Sequence, residues 1–209
     1  MKGLLLEGIV AAGRSEIIRA LRDHAAWRRR ESTLILNDLF TERANEHLRS
    51  LTPESYRTLM LRNLRILQAA KQIESASPLF DPDDRRDLCY VLDGFHITNA
   101  IVHADGEFEA FADIDVELER LDCRLVLVMI NEKVVGSRIK DVYRRRDERW
   151  RAYQERLESR VGDLSAYYVT LQHTYLDTLN KTALKNITID TTDQDWRRCA
   201  EDIMRFWRI

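Results

Sequence analysis

The stretch LLLEGIVAAGRSEIIRAL, Leu4 to Leu21, decides the fold. An apolar segment of strand length passes through Gly8 and Gly13 into a helical pattern. Gly8-Ile9-Val10-Ala11-Ala12-Gly13-Arg14-Ser15 fits G-x-x-x-x-G-K-[ST] at every fixed position except the lysine. A buried strand ending at Glu7 would deliver this loop to a helix starting near Arg14, whose free N–H groups and positive dipole end attract an anion. Gly8 and Gly13 supply backbone angles that other residues resist. Along such a loop Gly8, Ala11, Ala12, Gly13, Arg14, Ser15 and Glu16 are the candidate contacts to a phosphorylated cofactor. Ser15 stands where a hydroxyl ligates Mg2+, and Arg14 brings charge to the outer phosphates in lysine's place. Its guanidinium is a planar fork rather than a compact ammonium, so charge is kept while geometry changes.

Outward from the loop, further apolar runs of strand length lie at Thr33–Leu36, Leu88–Leu92 and Arg124–Ile130, with a weaker one at Asn186–Asp190. Helical spacing fills the intervals. Glu16 to Trp27 places Ile17, Ala20, Leu21 and His24 on one stripe, and Pro53 to Ile73 repeats Leu64, Leu67 and Ile73 behind a Thr52-Pro53 start. Lys133 to Arg160 reads as one very polar helix, followed by Asp163 to Leu179 and Gln194 to Trp207. Strands alternating with helices predict an α/β chain with a parallel sheet of about five strands. With 209 residues, 7 glycines and 3 prolines, and no linker or repeat, the chain is expected to form a single domain over residues 1–209.

Composition narrows the function. A net charge of -2 gives no overall basic excess, so a nucleic-acid partner is not expected. Cys89, Cys123 and Cys199 are odd in number and widely spaced, which suits small buried residues in a reduced compartment. Only three leucines precede Glu7, too short a run for a signal peptide or a membrane span, so a cytoplasmic location is expected. The acidic loop at Asp81, Asp83 and Asp84 lacks the turn glycine and distal glutamate of an EF-hand and reads as a solvated segment.

Four stretches, LLLEGIVAAGRS, LILNDLFTERANEHL, YVLDGFHIT and VVGSRIKDVYRRRDERWRAYQERLESR, resemble the P-loop nucleoside and nucleotide kinases, thymidylate kinase-like in particular. The resemblance extends weakly across nearly the whole chain. It implies a three-layer fold with helices on both faces of the sheet and an arginine-rich helical lid at about 133–160. It further implies phosphoryl transfer from ATP with Mg2+ to a small-molecule acceptor, a nucleoside or nucleotide.

The second stretch places Thr41-Glu42-Arg43 like the family's substrate segment, which makes Glu42 and Arg43 candidate acceptor contacts. In the third, Asp93 ends a strand beside the loop, where the family's acidic residue acts as base or holds metal-bound water; the alternative is an ordinary strand-end aspartate. Phe95 and His96 follow as candidate substrate contacts, although a histidine after a buried strand is more often packed and hydrogen-bonded. Gly94 stands where family members often carry an arginine that grips substrate or phosphate.

The fourth stretch offers Arg138, Arg144, Arg145 and Arg149 to the phosphates. On one continuous helix Arg138, Arg145, Arg149 and Arg156 share a face at i, i+7, i+11 and i+18. Asp141, Asp147, Glu148, Glu155 and Glu158 interleave with them, as on any surface laced with ion pairs. NITIDTTDQDW resembles the family's last strand and adenine-side loop, with Thr191 and Thr192 near the base. Tyr167, Tyr168 and Tyr175 pack internally or line a homodimer face.

Arg14 for lysine, Ala11 for the loop's usual middle glycine, and Gly94 for arginine are three departures at one site. They keep a second reading open, a nucleotide-binding scaffold that retains the fold without catalysis.

Overall fold

The computed structural model describes residues 1–37, 52–76, 87–103 and 107–209. Five strands form one parallel sheet: β1 Lys2–Glu7, β2 Thr33–Asn37, β3 Cys89–Asp93, β4 Cys123–Met129 and β5 Asn186–Asp190, in spatial order β2-β3-β1-β4-β5. Every residue of β3, and of β1 from Gly3 on, is buried, as the two-sided cover of a central parallel strand requires. The edge strand β5 buries only Ile189, and its sequence alternates accordingly.

The helices among the described residues are α1 Arg14–Asp23, α2 Ala25–Arg28, α3 Pro53–Ala76, α4 His96–His103, α5 Ala112–Arg120, α6 Glu132–Arg145, α7 Glu148–Val161, α8 Leu164–Leu179 and α9 Trp196–Trp207. On one side α1 packs on α9, and Trp27 of α2 meets Trp207 of α9 at 5.7 Å between ring centroids. On the other, α4 packs against α3 and α8, and α5 against α3 and β4. The core joins both layers through Leu4, Leu5 and Leu6 of β1 and Leu125 to Val128 of β4. Among the described residues no helix is long and apolar enough to cross a membrane.

Two elements differ from their sequence reading, and one further segment has none. The helix read from Glu16 to Trp27 starts at Arg14 and breaks at His24, whose extended backbone and Nδ1 acceptor cap Ala26 at 3.2 Å. The polar helix read from Lys133 to Arg160 is two helices. Arg146 turns extended, and the Asp147 carboxylate accepts from the Trp150 N–H at 2.9 Å, starting α7 afresh. Arg138 and Arg145 therefore share α6, while Arg149 and Arg156 belong to another helix, and the single arginine face does not exist. The segment from His96 to Arg120, which carries no clear sequence period, supplies α4, the 3-10 turn Phe108–Phe111 and α5.

Parallel pairing brings all strand ends to one edge. Leu6 sits opposite Asp93 and Glu7 opposite Leu127, so β1 and β3 finish side by side, where open α/β sheets bind ligands.

Candidate functional site

The loop between β1 and α1 is built from left-handed backbone. Gly8 has φ 141° and Gly13 φ 96°. A Cβ on Gly8 would stand 2.3 Å from the Val128 carbonyl oxygen, and one on Gly13 2.5 Å from the Trp196 ring, so both glycines are dictated by contact as well as angle. Ala11, in place of the middle glycine, takes φ 70°, a conformation costing an alanine about 1 kcal/mol. Gly13 is the N-cap of α1 and offers no side-chain acceptor, whereas Asn131, Asp147, Asp163 and Asp195 cap α6, α7, α8 and α9. The first turn of α1 thus keeps backbone donors for an anion. Ser15 is exposed on that turn, Ala12 is buried beneath it, and Glu16 is part-exposed with its charge acting on Arg138.

Arg14 folds back across the sheet edge. Its Nε lies 3.1 Å from Asp93 Oδ1, with both side chains about nine-tenths buried at 11% and 10% exposure. The guanidinium rests on Gly94, where a Cβ would meet Nη1 at 2.8 Å. The loop cation and the strand-end acid read separately from the sequence are therefore one buried pair. Ser15 and Asp93 are hard oxygen donors of the kind Mg2+ takes. Among the described residues no group of three or more His, Cys, Asp or Glu could hold a metal on its own, so such an ion would need phosphate oxygens and water to complete its shell.

Beneath this pair lies a carboxylate that the sequence reading passed over. Glu7, the last residue of β1, is fully buried; its Oε1 accepts from the Phe95 N–H at 2.9 Å, and its other oxygen accepts from the Thr98 hydroxyl. Thr98 in turn shares a 2.7 Å hydrogen bond with Tyr175 of α8. Burial pushes the Glu7 carboxyl above its ordinary range, and the hydrogen bonds and the His96 and Arg14 charges only partly offset it. Glu7 therefore ties the Asp93-Gly94-Phe95 turn to the root of the phosphate loop.

Phe95 and His96 are not at the open edge. Phe95 is buried, and His96 is fully buried with Nε2 2.8 Å from Asp115 Oδ1 and its ring beside Phe95 and Phe108. Asp115 also accepts from Thr182 Oγ1 at 2.5 Å and the Ala183 N–H at 2.6 Å. Burial raises the Asp115 carboxyl, but the His96 bond and charge, with Thr182 and Ala183, outweigh it and hold it below the usual range. The His96 imidazole therefore faces the Asp115 carboxylate inside the core and not the open edge of the sheet. Tyr168 and Tyr175 are likewise internal; Tyr168 donates to Gln154 at 3.0 Å. Glu42 and Arg43 lie outside the described residues, as do Asp81, Asp83 and Asp84.

The loop after β5 closes over the phosphate loop from the other side. Thr191 Oγ1 donates to the Ala12 carbonyl at 2.6 Å, and the Thr192 hydroxyl accepts from the Asn131 N–H at 2.8 Å. Arg138 Nη2 donates to the Thr191 and Thr192 carbonyls at 2.8 and 3.3 Å, while its guanidinium lies 5.8 Å from the Trp196 ring centroid. Trp196 is a component that helical spacing alone would assign to the core. Arg144 and Arg145 stay on their own helix, paired with the Asp141 carboxylate at 3.4 Å and bonded to its carbonyl at 3.3 Å.

No protein-family model and no curated protein matches this chain. Solved structures do. The YorR protein of Bacillus subtilis, in complex with phosphorylated GDP, matches at 13% identity and TM-score 0.56 over 97% of this chain and 94% of that one. Deoxyadenosine kinase from M. mycoides with bound dATP matches at 14% identity and TM-score 0.51 over 99% and 100%. This chain has a P-loop kinase-like fold.

Proposed function

We propose that the protein is an ATP- and Mg2+-dependent phosphotransferase acting on a nucleoside, nucleotide or related small molecule. The observation that carries this reading is the junction of an uncapped glycine loop with Arg14 and Asp93 at the adjoining ends of β1 and β3. The backbone N–H groups between Gly8 and Ser15, other than that of Ala12, which donates to the Ile9 carbonyl at 3.2 Å, would cradle the nucleotide phosphates. Ser15 and Asp93 would hold Mg2+, which spreads the charge of the phosphates when bound. Arg14 neutralises the outer phosphates. Asp93 orients the acceptor hydroxyl or takes its proton, and Glu42 and Arg43 would contact the acceptor. Arg138, Arg144 and Arg145 form the inner part of a lid over the reacting groups, and Thr192 faces the base. The nucleotides held by the similar structures accord with this assignment.

One observation favours a second reading, a nucleotide-binding scaffold without catalysis: the cation and the acid given catalytic roles are already paired to each other. A transfer assay separates the two. Under the first reading a panel of nucleosides and nucleotides contains an acceptor phosphorylated from ATP with Mg2+, Arg14→Ala abolishes the transfer and Arg14→Lys keeps or raises it. Binding of ATP without transfer to any acceptor supports the scaffold.

A further inference from the structure

Two departures from the phosphate-loop kinase pattern, arginine at 14 and glycine at 94, touch each other in space. Nη1 of Arg14 occupies the volume that any side chain at position 94 would enter, 2.8 Å from a Cβ there. Gly94 has φ 70°, and its N–H donates to the Leu6 carbonyl at 2.8 Å, which pins the turn to β1 and fixes the space above it. A lysine at position 14 has a single slender chain and needs no such clearance; a guanidinium is a flat plate and does. The plate lies with Nε toward Asp93 at 3.1 Å, in a site about nine-tenths closed to water.

We propose that Gly94 is a positioning residue for Arg14, and that the two changes form one device. The absent side chain at 94 lets the loop arginine lie flat against the β3 turn, grip Asp93 and set the orientation of the acid. One fixed cation then stands at the junction of the phosphate loop and the acceptor side. The flexible end of Arg14 would yield to a side chain at 94, so the cost of filling that space falls on the placement of the guanidinium and not on the backbone. The inference rests on the proposed nucleotide site for its functional consequence, but the pairing itself belongs to the free protein.

The test uses Gly94→Asn, because asparagine tolerates a left-handed backbone, with Gly94→Ala as a second variant if the first does not fold. In the free native protein the Arg14 Nε–H is expected to give a protected NMR resonance, assigned by its loss in Arg14→Lys. Gly94→Asn is expected to abolish that resonance and to weaken Mg2+-ATP binding by about tenfold. Adding Arg14→Lys to Gly94→Asn is expected to restore affinity to within about threefold of the Arg14→Lys single variant, since the slimmer chain clears the new side chain. Persistence of the protected resonance with asparagine at 94, or a double variant no better than the Gly94→Asn single, overturns the proposal. If the native protein binds no nucleotide, the proposed function fails on the affinity arm, while the NMR arm still decides the pairing.

Discussion

The loop edge and the helix-pair edge of this molecule both carry arginines, and they use them differently. At the loop edge Arg14 is buried, seated on Gly94 and paired with Asp93. Across the site, Arg138 is docked on the carbonyls of Thr191 and Thr192 over Trp196, but Arg144, two turns further, is 75% exposed and shares Asp141 with Arg145. Charge acquires a fixed role where burial removes the competing water, and stays interchangeable where it does not. The arginine count of the helix pair therefore says less than the two arginines that reach the sheet edge.

If burial governs, the cost of substitutions should fall from the loop outward. The largest effect is expected at Gly8, where an added Cβ meets a backbone oxygen that no rotamer can move: Gly8→Ala should lose about 3 kcal/mol or more of unfolding free energy in urea denaturation. Next is Glu7. Glu7→Ala leaves the buried Phe95 N–H without its acceptor and should cost about 2 kcal/mol.

The sign of the pH dependence sharpens this. The folded-state Glu7 carboxyl is held above its unfolded value, so the folded protein binds the proton more tightly and loses that contribution as pH rises past the unfolded pKa. Glu7→Gln should therefore gain on the native protein as pH rises above about 4.5. Asp115 is held low, and its contribution is present above the unfolded pKa and lost as pH falls through the folded one, so Asp115→Asn should do relatively better in acid. Thermal midpoints followed above about pH 4.5 for Glu7→Gln and below about pH 4 for Asp115→Asn test both signs, and curves parallel to the native protein's in both windows would remove the distinction between the two buried acids.

Smaller still is Arg138→Ala, expected to cost about 1 kcal/mol through its carbonyl bonds and its contact with Trp196, and to loosen α6 in hydrogen exchange. Arg144→Ala should change unfolding free energy by less than about 0.5 kcal/mol. An Arg144 effect equal to that of Arg138 would break the comparison.

The same contrast explains what the sequence disclosed. Gly8, Gly13 and the apolar strand before them were legible because a tight turn between strand and helix has few chemical solutions. The central strands β1, β3 and β4 were legible because two-sided burial leaves continuous apolar runs, while the edge strand β5 left the weaker, alternating one. The break at Asp147 was signalled by its own capping chemistry, an aspartate followed by an acidic first turn, but the regular arginine spacing outweighed it. His96 with Asp115, Glu7 with Phe95 and Thr98, and Arg14 on Gly94 join residues 19, 88 and 80 positions or more apart, with no periodicity to connect them. Arg14 and Gly94 each looked like decay when read singly. In space they are complementary, which a linear motif has no means to express.

The most direct test of the central claim, that this loop still holds a nucleotide, is calorimetric titration of the protein with ATP, ADP and GTP, with and without Mg2+ at a fixed ionic strength. The account predicts micromolar binding of ATP that strengthens with Mg2+ and is lost in Arg14→Ala. Absence of binding by all three nucleotides, with the protein folded, would contradict it.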